Sequence, residues 1–234
     1  MKGTCRIWLR RAPYATDRVD LDLLDEPERS TNRQFATESL RARHASAHAL
    51  LRRALGQTLG VDPSGLCFEL GKNDRPRLAN QQGMLDFNLS HSGPYVACAV
   101  VDARRVGIDV EIDNPRMDYC EVLDRVTSPA ERSWIQNKSP DEARRAFYRV
   151  WVLKEAFAKA RGDGLNLPFA EITLMPRSSG LVQELKATGE RPEDWSFARF
   201  DVNADAALAV AVKSEDPRRR GIRFEVVEGR ELLC

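Results

Sequence analysis

The order of the predicted secondary structure repeats once along the 234-residue chain. Each half contains one helix with apolar or small residues at helical spacing, followed by three strand signals that turn-forming residues separate. The predicted helices lie at residues 32–59 and 143–161, and the strands at 66–70, 87–89, 95–101, 171–175, 196–202 and 206–212. We therefore predict a duplicated α+β unit, with halves at residues 1–105 and 106–234 and a site at the seam between them. A chance alternation of helices and strands is the alternative.

The composition excludes several classes of partner and location. Lysine and arginine number 36 against 35 aspartate and glutamate residues, so no overall field favours nucleic acid or a membrane surface, and any anion site must be local. The N-terminus has no apolar signal region, and no apolar run approaches the roughly 20 residues of a membrane span. The five cysteines show no CxxC spacing, which is typical of reduced thiols rather than of disulfides or metal ligands. We expect a cytoplasmic protein that binds neither nucleic acid nor membrane.

Residues 106–113 alternate strictly between apolar and polar positions. In a strand, this spacing places Asp109, Glu111 and Asp113 on one face together with Gly107. Acids are depleted in strands, and carboxylates stacked at roughly 7 Å repel each other unless a divalent cation lies between them. Oxygen ligands suit Mg²⁺, and Gly107 would let a large group approach the backbone. The alternative is a half-buried strand whose polar face meets water.

Residues 151–159 form a strong helix pattern that carries a third acid, Glu155. We interpret Glu155 as a further metal ligand or a proton acceptor, and Lys154 and Lys159 as clamps on phosphate. Because Lys154 points about 100° away from Glu155, the two lysines cannot share one role. The alternative is a surface ion pair between Glu155 and Lys159, which lie at the favoured i,i+4 spacing.

Residues 87–93 end a predicted strand in a turn rich in serine, histidine and glycine. Neighbouring strand residues face opposite sides, so Ser90 and His91 cannot form a catalytic dyad, and we reject a hydrolase of that kind. Such a turn does suit anion binding through hydroxyl, imidazole and backbone N–H groups. Arg43 and Arg75 are further candidate anion ligands, with solvated surface arginines as the alternative.

Taken together, these segments resemble the surfactin-type phosphopantetheinyl transferases. That family carries, in order, a basic-Pro pair, FN(I/L)SHS, GID(I/V)E and WxxKE(A/S)xxK. The four motifs stand here as Arg75-Pro76 and as residues 87–92, 107–111 and 151–159. One motif alone is weak evidence, but four in the same order and spacing are specific, and the resemblance covers residues 30–170.

The resemblance implies a monomer of two similar halves related by a pseudo-twofold axis, with coenzyme A bound between them. Residues 1–105 would contact the phosphates and adenosine, and residues 106–234 would hold Mg²⁺ and the catalytic carboxylates. The implied residues are Asp109, Glu111 and Glu155 as Mg²⁺ ligands, Glu155 and Lys159 as catalytic residues, and Arg43, Arg75, Ser90, His91 and Lys159 as coenzyme A contacts.

The implied activity moves the 4′-phosphopantetheine arm of coenzyme A onto a serine of an apo-acyl carrier protein, or of a peptidyl or polyketide carrier domain, and releases 3′,5′-ADP. Because the nucleophile in this reaction is a serine of the carrier, this chain does not need an activated nucleophile of its own. The alternatives are another Mg²⁺-dependent enzyme that cleaves diphosphates, such as a nucleotide pyrophosphohydrolase, and a non-catalytic module that binds carrier proteins or coenzyme A.

The segment before Phe35 departs from the family pattern. Family members often have lysines there, whereas residues 28–33 of this chain contain none. The basic group that completes the phosphate-binding site in this region is therefore left open. Arg29, Arg33 and Lys72 are the further candidates beside Arg43, Arg75 and His91.

Overall fold

The computed structural model describes residues 3–13, 15–71, 75–79, 85–162, 167–176, 182–219 and 221–233. Its helices are α1 (Arg18–Leu23), α2 (Glu26–Gln34), α3 (Glu38–Leu59), α4 (Cys120–Val126), α5 (Pro129–Gln136) and α6 (Pro140–Arg161). Its strands are β1 (Gly3–Arg11), β2 (Phe68–Leu70), β3 (Pro76–Leu78), β4 (Leu85–Ser92), β5 (Tyr95–Asp102), β6 (Arg105–Ile112), β7 (Thr173–Pro176), β8 (Val182–Lys186), β9 (Trp195–Val202), β10 (Ala206–Lys213) and β11 (Ile222–Glu228). The α+β class is therefore confirmed. None of the described helices is both long and apolar enough to cross a membrane.

The predicted helix at residues 32–59 is two helices. The capping box of Asp25 and Glu28 starts α2, and the extended backbone of Phe35 ends it. Thr37 then accepts a hydrogen bond from Leu40 N and starts α3. The helical periodicity did not reveal this break, because the residues on both sides of it are helix formers.

Two sheets form the centre of the molecule, with strand orders β11-β1-β5-β4 and β6-β10-β9. One apolar cluster lies between the sheets and is built from β1, β5, β6 and β10. Helix α3 covers the outer face of the first sheet, and α6 covers that of the second. The layers thus run helix, sheet, sheet, helix. The last strand, β11, returns to pair in parallel with β1.

The alternation predicted at residues 106–113 is confirmed along β6. Val106, Ile108 and Val110 are fully buried between the sheets, so Asp109 and Glu111 point to the opposite side, towards α6. Asp113 lies beyond the strand, and its carboxylate is bound by Arg144 at 2.5 Å. It therefore does not extend the row of acids.

The two sheets meet along the edges of β4 and β6, and side chains rather than backbone groups join them. Alternate side chains of β4 accept hydrogen bonds from alternate N–H groups of β6. We call this set the seam ladder: Val106 N to Asp86 Oδ2 at 2.7 Å, Ile108 N to Asn88 Oδ1 at 2.9 Å, Val110 N to Ser90 Oγ at 3.3 Å and Ile112 N to Ser92 Oγ at 3.2 Å. Alternate N–H groups of a strand point to opposite sides, so the ladder satisfies the edge of β6 that faces away from β10.

Two cations bind carbonyl oxygens along the same edge. Arg75 donates to the carbonyl oxygens of Val106, at 2.6 Å, and of Phe87, at 2.9 Å, and its guanidinium also pairs with Asp86. Lys159 donates to the carbonyl oxygen of Ile108 at 3.2 Å. The seam thus supplies donors to two carbonyl oxygens of β6 as well as acceptors to four of its N–H groups, as buried backbone groups require.

Gly107 lets helix α6 pack directly against β6. A Cβ atom at this position would collide with the carbonyl oxygen of Ala156 and would lie 2.5 Å from the backbone nitrogen of Ala160. The close approach predicted at Gly107 is therefore confirmed, and the group that approaches is the backbone of α6.

Lys154 is a structural residue and not a phosphate clamp. It is completely buried, forms an ion pair with the equally buried Glu131 at 2.6 Å, and donates to the carbonyl oxygens of Val126, Phe169 and Ile172. Glu131 in turn accepts from the backbone nitrogens of Ser128 and Leu174. The pair fixes α5 and β7 against α6, so Lys154 cannot reach a ligand at the seam.

We expect Lys154→Met to destabilise the protein by about 3–5 kcal/mol, because the substitution leaves the Glu131 carboxylate buried and unpaired. Urea unfolding would measure the free energy of unfolding. The double variant Lys154→Met, Glu131→Gln should recover part of the loss, since no buried charge remains. A single variant within about 1 kcal/mol of wild type would contradict the assigned role.

Candidate active site

A pocket of about 380 Å³ opens at the seam beside the edges of β4 and β6. Strand β4, strand β6 and helix α6 supply its lining residues, which are Leu89, Ser90, His91, Asp109, Glu111, Trp151, Glu155 and Lys159. Six of the residues selected from the sequence thus meet in one place. A second cavity, of about 770 Å³, contains none of the candidate site residues, and a third, of about 550 Å³, is lined by the further candidates Arg29 and Arg33.

Asp109 lies at the centre of the pocket and is only 3% exposed. Its Oδ1 accepts from Lys159 Nζ at 2.7 Å and from Ser90 Oγ at 2.9 Å, while its Oδ2 is buried without a hydrogen-bond partner. Burial raises the pKa of this carboxyl above its usual value, and the nearby Lys159 opposes that effect.

Glu111, next along the same face of β6, is held by a hydroxyl group. Ser92 donates to its Oε2 at 2.6 Å. Burial raises the pKa of Glu111, the hydrogen bond from Ser92 lowers it, and the negative charge of Asp109 raises it again. The site therefore holds two neighbouring acids whose charged forms are both disfavoured.

Glu155 and Lys159 do not form the surface ion pair that the sequence left open as an alternative. Lys159, 28% exposed at its side chain, reaches from α6 to β6 and pairs there with Asp109. Oε1 of Glu155 is buried and has no hydrogen-bond partner. Burial, and then the charge of Asp109, raise the pKa of Glu155 to about 7.

The three carboxylates of Asp109, Glu111 and Glu155 provide the oxygen-only donor set that Mg²⁺ prefers. Two of their oxygens are buried and unpartnered, and burial raises all three pKa values, which is the environment that a bound cation would relieve. Within the described residues, however, no three acidic, histidine or cysteine side chains are arranged to ligate a metal. Lys159 binds Asp109, and Ser92 binds Glu111. The two carboxylates are thus held by separate partners. The chemistry of the site therefore fits Mg²⁺, although the ligands are not gathered around one point.

The predicted phosphate contacts are distributed unevenly. His91 lies exposed on the rim of the pocket. Its pKa is lowered, first by the partial loss of solvation around its ring and then by the positive charge of Arg43. Arg43 lies behind the turn, where it donates to the carbonyl oxygen of Gly93 at 3.4 Å. Arg75 does not line the pocket, and its guanidinium binds Asp86 and backbone carbonyls of the seam.

The segment before Phe35 brings no cation to the pocket lining. Arg33 pairs with Glu26 at 2.5 Å, and Arg29 donates to the carbonyl oxygen of Leu21. Lys72 lies outside the described residues. None of these three is placed at the pocket by the structure.

The sequence interpretation missed the part played by Ser92 and by the aromatic wall of Trp151. Trp151 contacts buried residues of the core and also lines the pocket. Ser92 carried a visible signal, because Asn88, Ser90 and Ser92 recur at the period of two that places them on one face of a strand.

Comparison with known proteins identifies relatives along most of the chain. A family model described as the 4′-phosphopantetheinyl transferase superfamily matches residues 105–211. A 4′-phosphopantetheinyl transferase of Bacillus subtilis is 34% identical over 71% of this chain and 72% of its own length. The 4′-phosphopantetheinyl transferase HetI of Nostoc sp. is 33% identical over 87% of this chain and 93% of its own. A crystal structure of a holo-(acyl-carrier-protein) synthase from Bacillus anthracis in complex with CoA (3′,5′-ADP) covers 47% of this chain and 96% of its own, at 20% identity and a TM-score of 0.40, a likeness too low to carry weight.

We expect the ionisation of Glu155 to contribute a decline in the thermal stability of the metal-free protein between about pH 4.5 and 7, while His44, whose pKa burial lowers to about 4, contributes a rise over the same range. The folded state holds the proton of Glu155 more tightly than the unfolded chain, so this group stabilises the fold at low pH and loses that contribution as it ionises. Glu155→Gln cannot ionise and should flatten the decline and raise the melting temperature at about pH 8. Melting curves in the presence of a chelator would measure both effects.

The matched control is Glu142→Gln on the same helix. Glu142 is exposed, and a hydrogen bond from Ser139 lowers its pKa, so it does not keep its proton towards neutral pH as Glu155 does. This variant should keep the wild-type slope. A Glu155→Gln profile that coincides with wild type would show that Glu155 does not titrate in this range.

Proposed function

The chain belongs to the 4′-phosphopantetheinyl transferase superfamily, and from that premise we propose that it moves the 4′-phosphopantetheine arm of coenzyme A onto a serine of an apo-carrier protein. The observation that best supports this reaction is the seam pocket, which is lined by Asp109, Glu111 and Glu155 together with Lys159, whose ammonium group pairs with Asp109. Carboxylates beside a cation, in a pocket with a histidine on its rim, suit the transfer of a phosphoryl-linked group.

In this reaction the hydroxyl oxygen of the carrier serine forms a bond to the β-phosphorus of coenzyme A, and the bond to 3′,5′-ADP breaks. Glu155 is the proposed acceptor of the serine proton, because it lines the pocket and one of its carboxylate oxygens has no hydrogen-bond partner. Lys159, already inside the pocket, would stabilise the negative charge of the diphosphate. His91 on the rim would bind the phosphates from the side of β4.

We propose Asp109, Glu111 and Glu155 as the residues that hold Mg²⁺, which would supply charge neutralisation for the diphosphate. Asp109 can do so through Oδ2, which is buried without a hydrogen-bond partner, while Oδ1 keeps its bond to Lys159. Arg43 is the proposed 3′-phosphate contact behind the rim. For Arg75, binding of coenzyme A stays a prediction, and its bonds at the seam favour a structural role.

We also propose that the fold is a pseudo-twofold duplication, with halves at residues 1–105 and 106–234, and that the protein is a cytosolic monomer. In support, each half contributes a helix of 22 residues that covers one sheet. The parallel pairing of β11 with β1 would be an exchange across that boundary. The buried thiols of Cys5 and Cys98 have raised pKa values because of burial, which agrees with unreactive, reduced cysteines.

We expect wild-type protein, incubated with coenzyme A, Mg²⁺ and apo-acyl, peptidyl or polyketide carriers, to add the mass of the phosphopantetheine arm to at least one carrier. Glu155→Gln should lose about 10²- to 10⁴-fold in rate while coenzyme A still binds, because the amide keeps the size of the side chain but cannot accept the proton. Mass spectrometry of the carrier measures the rate, and calorimetry measures binding. Release of free 4′-phosphopantetheine without any carrier would instead favour a diphosphate hydrolase.

We expect Arg43→Ala to discriminate less than wild type between coenzyme A and its 3′-dephospho form. A bond from a guanidinium to a phosphate is worth on the order of 1.5–3 kcal/mol where water is excluded, and that advantage exists only for the 3′-phosphorylated ligand. Calorimetric titration of both ligands measures the difference. Arg145→Ala, at an exposed arginine of α6, is the control and should discriminate like wild type. Equal weakening of both ligands by Arg43→Ala would place Arg43 at the diphosphate instead.

A further inference from the structure

Ser92 makes two hydrogen bonds in opposite senses. Its Oγ accepts from Ile112 N at 3.2 Å as the last rung of the seam ladder, and it donates to Glu111 Oε2 at 2.6 Å. A hydroxyl has one proton to donate and lone pairs to accept with, so both bonds can exist at once. Ser92 therefore joins the end of β4 to a carboxylate of the pocket without lining the pocket itself.

Ser90 makes the same pair of bonds one rung earlier, but its carboxylate has a second support. It accepts from Val110 N and donates to Asp109, which Lys159 also binds. For Glu111, Ser92 is the one hydrogen-bond partner of the carboxylate within the described part of the chain. Loss of the Ser92 hydroxyl would thus free Glu111 to rotate, whereas Asp109 would keep Lys159.

The position of Ser92 also connects Glu111 to the turn between β4 and β5. The next residue, Gly93, forms the turn into β5 with a positive φ of 52°, and its carbonyl oxygen accepts from Arg43. A Cβ at Gly93 would lie 2.8 Å from the side chain of Ile112, so the turn packs closely on the end of β6. The turn, the serine and the carboxylate are therefore fixed relative to one another.

We propose that Ser92 is a positioning residue, which holds the Glu111 carboxylate in place for a divalent cation through the bond that also closes the seam ladder. The proposal rests on the proposed function, in which Glu111 is a Mg²⁺ ligand. Ser92 itself touches neither the cation nor coenzyme A. Hydrogen bonds to metal-ligating groups commonly change metal affinity by about 10- to 100-fold, because they restrict the ligand to its binding orientation.

The test measures Mg²⁺ binding without turnover, from the rise in melting temperature during titration with Mg²⁺, alone and with saturating coenzyme A but no carrier. Ser92→Ala should weaken Mg²⁺ binding about 10- to 100-fold. Ser92→Thr keeps the hydroxyl and should restore most of the affinity. In the transfer assay, Ser92→Ala should need more Mg²⁺ for half-maximal rate and should approach the wild-type kcat once Mg²⁺ saturates.

Asn88→Ala is the matched control, because Asn88 makes a rung of the same ladder but holds no carboxylate. It should lower the melting temperature and leave the Mg²⁺ affinity within about twofold of wild type. Amide hydrogen exchange shows whether each substitution breaks its own rung: Ser92→Ala should accelerate exchange at Ile112, and Asn88→Ala at Ile108.

Three results would overturn the proposal: wild-type Mg²⁺ affinity in Ser92→Ala, equal loss of affinity in Ser92→Ala and Asn88→Ala, or no Mg²⁺ binding by the wild type in either titration. The first would separate Ser92 from the metal site, and the second would show that the seam as a whole is responsible. If wild type binds Mg²⁺ and the variants differ as expected, but no carrier is modified, the positioning role holds and the proposed transferase reaction fails.

Discussion

The edge of β6 needs partners that its own sheet cannot provide, and the rest of the architecture depends on how β4 supplies them. Four N–H groups of β6 face β4, and each unmade hydrogen bond at a buried backbone group costs about 1–3 kcal/mol. The strands are joined through Asp86, Asn88, Ser90 and Ser92 instead of through paired backbones. Side chains keep the two edges farther apart than a backbone ladder would. The candidate pocket opens beside the Ser90 rung of this ladder.

The need to satisfy the backbone groups of β6 explains why residues from several sequence motifs lie together at the seam. Arg75 and Lys159, far apart in sequence, bind carbonyl oxygens of β6, while Asn88 and Ser90 bind its N–H groups. Sequence reasoning assigned Arg75 and Ser90 to ligand binding because a cation or a hydroxyl beside acids suits an anion. The structure shows that each also satisfies a backbone group at the seam. Substitution of such a residue can therefore lower activity by loosening the seam, without any lost contact to a ligand.

Patterns within a single strand or helix were enough to predict which side chains lie on the same face of that element. The alternation along β6 placed Asp109 and Glu111 on one face, and the spacing along α6 placed Glu155 one turn before Lys159, and both agree with the structure. What sequence reasoning could not find were partners distant along the chain: Glu131 for Lys154, Asp109 for Lys159, and β11 beside β1. Each depends on which elements pack together, and the sequence alone does not supply that arrangement. The break before α3 was missed for a different reason, since residues on both sides of it favour a helix.

The two lysines of α6 show how one helix separates stability from function. Lys154 is fully buried, its ammonium group is surrounded by Glu131 and three carbonyl oxygens, and no ligand can approach it. Lys159, five residues later, keeps part of its surface in water and holds Asp109 through a bond that a phosphate could replace. Once Lys159 turns to a phosphate, Asp109 is left as a buried charge beside Glu111 and Glu155, and only a proton or a cation can compensate it. Binding of the diphosphate and binding of a divalent cation should therefore favour each other. The diphosphate draws Lys159 away from Asp109, and the cation replaces Lys159 as the positive charge beside that carboxylate.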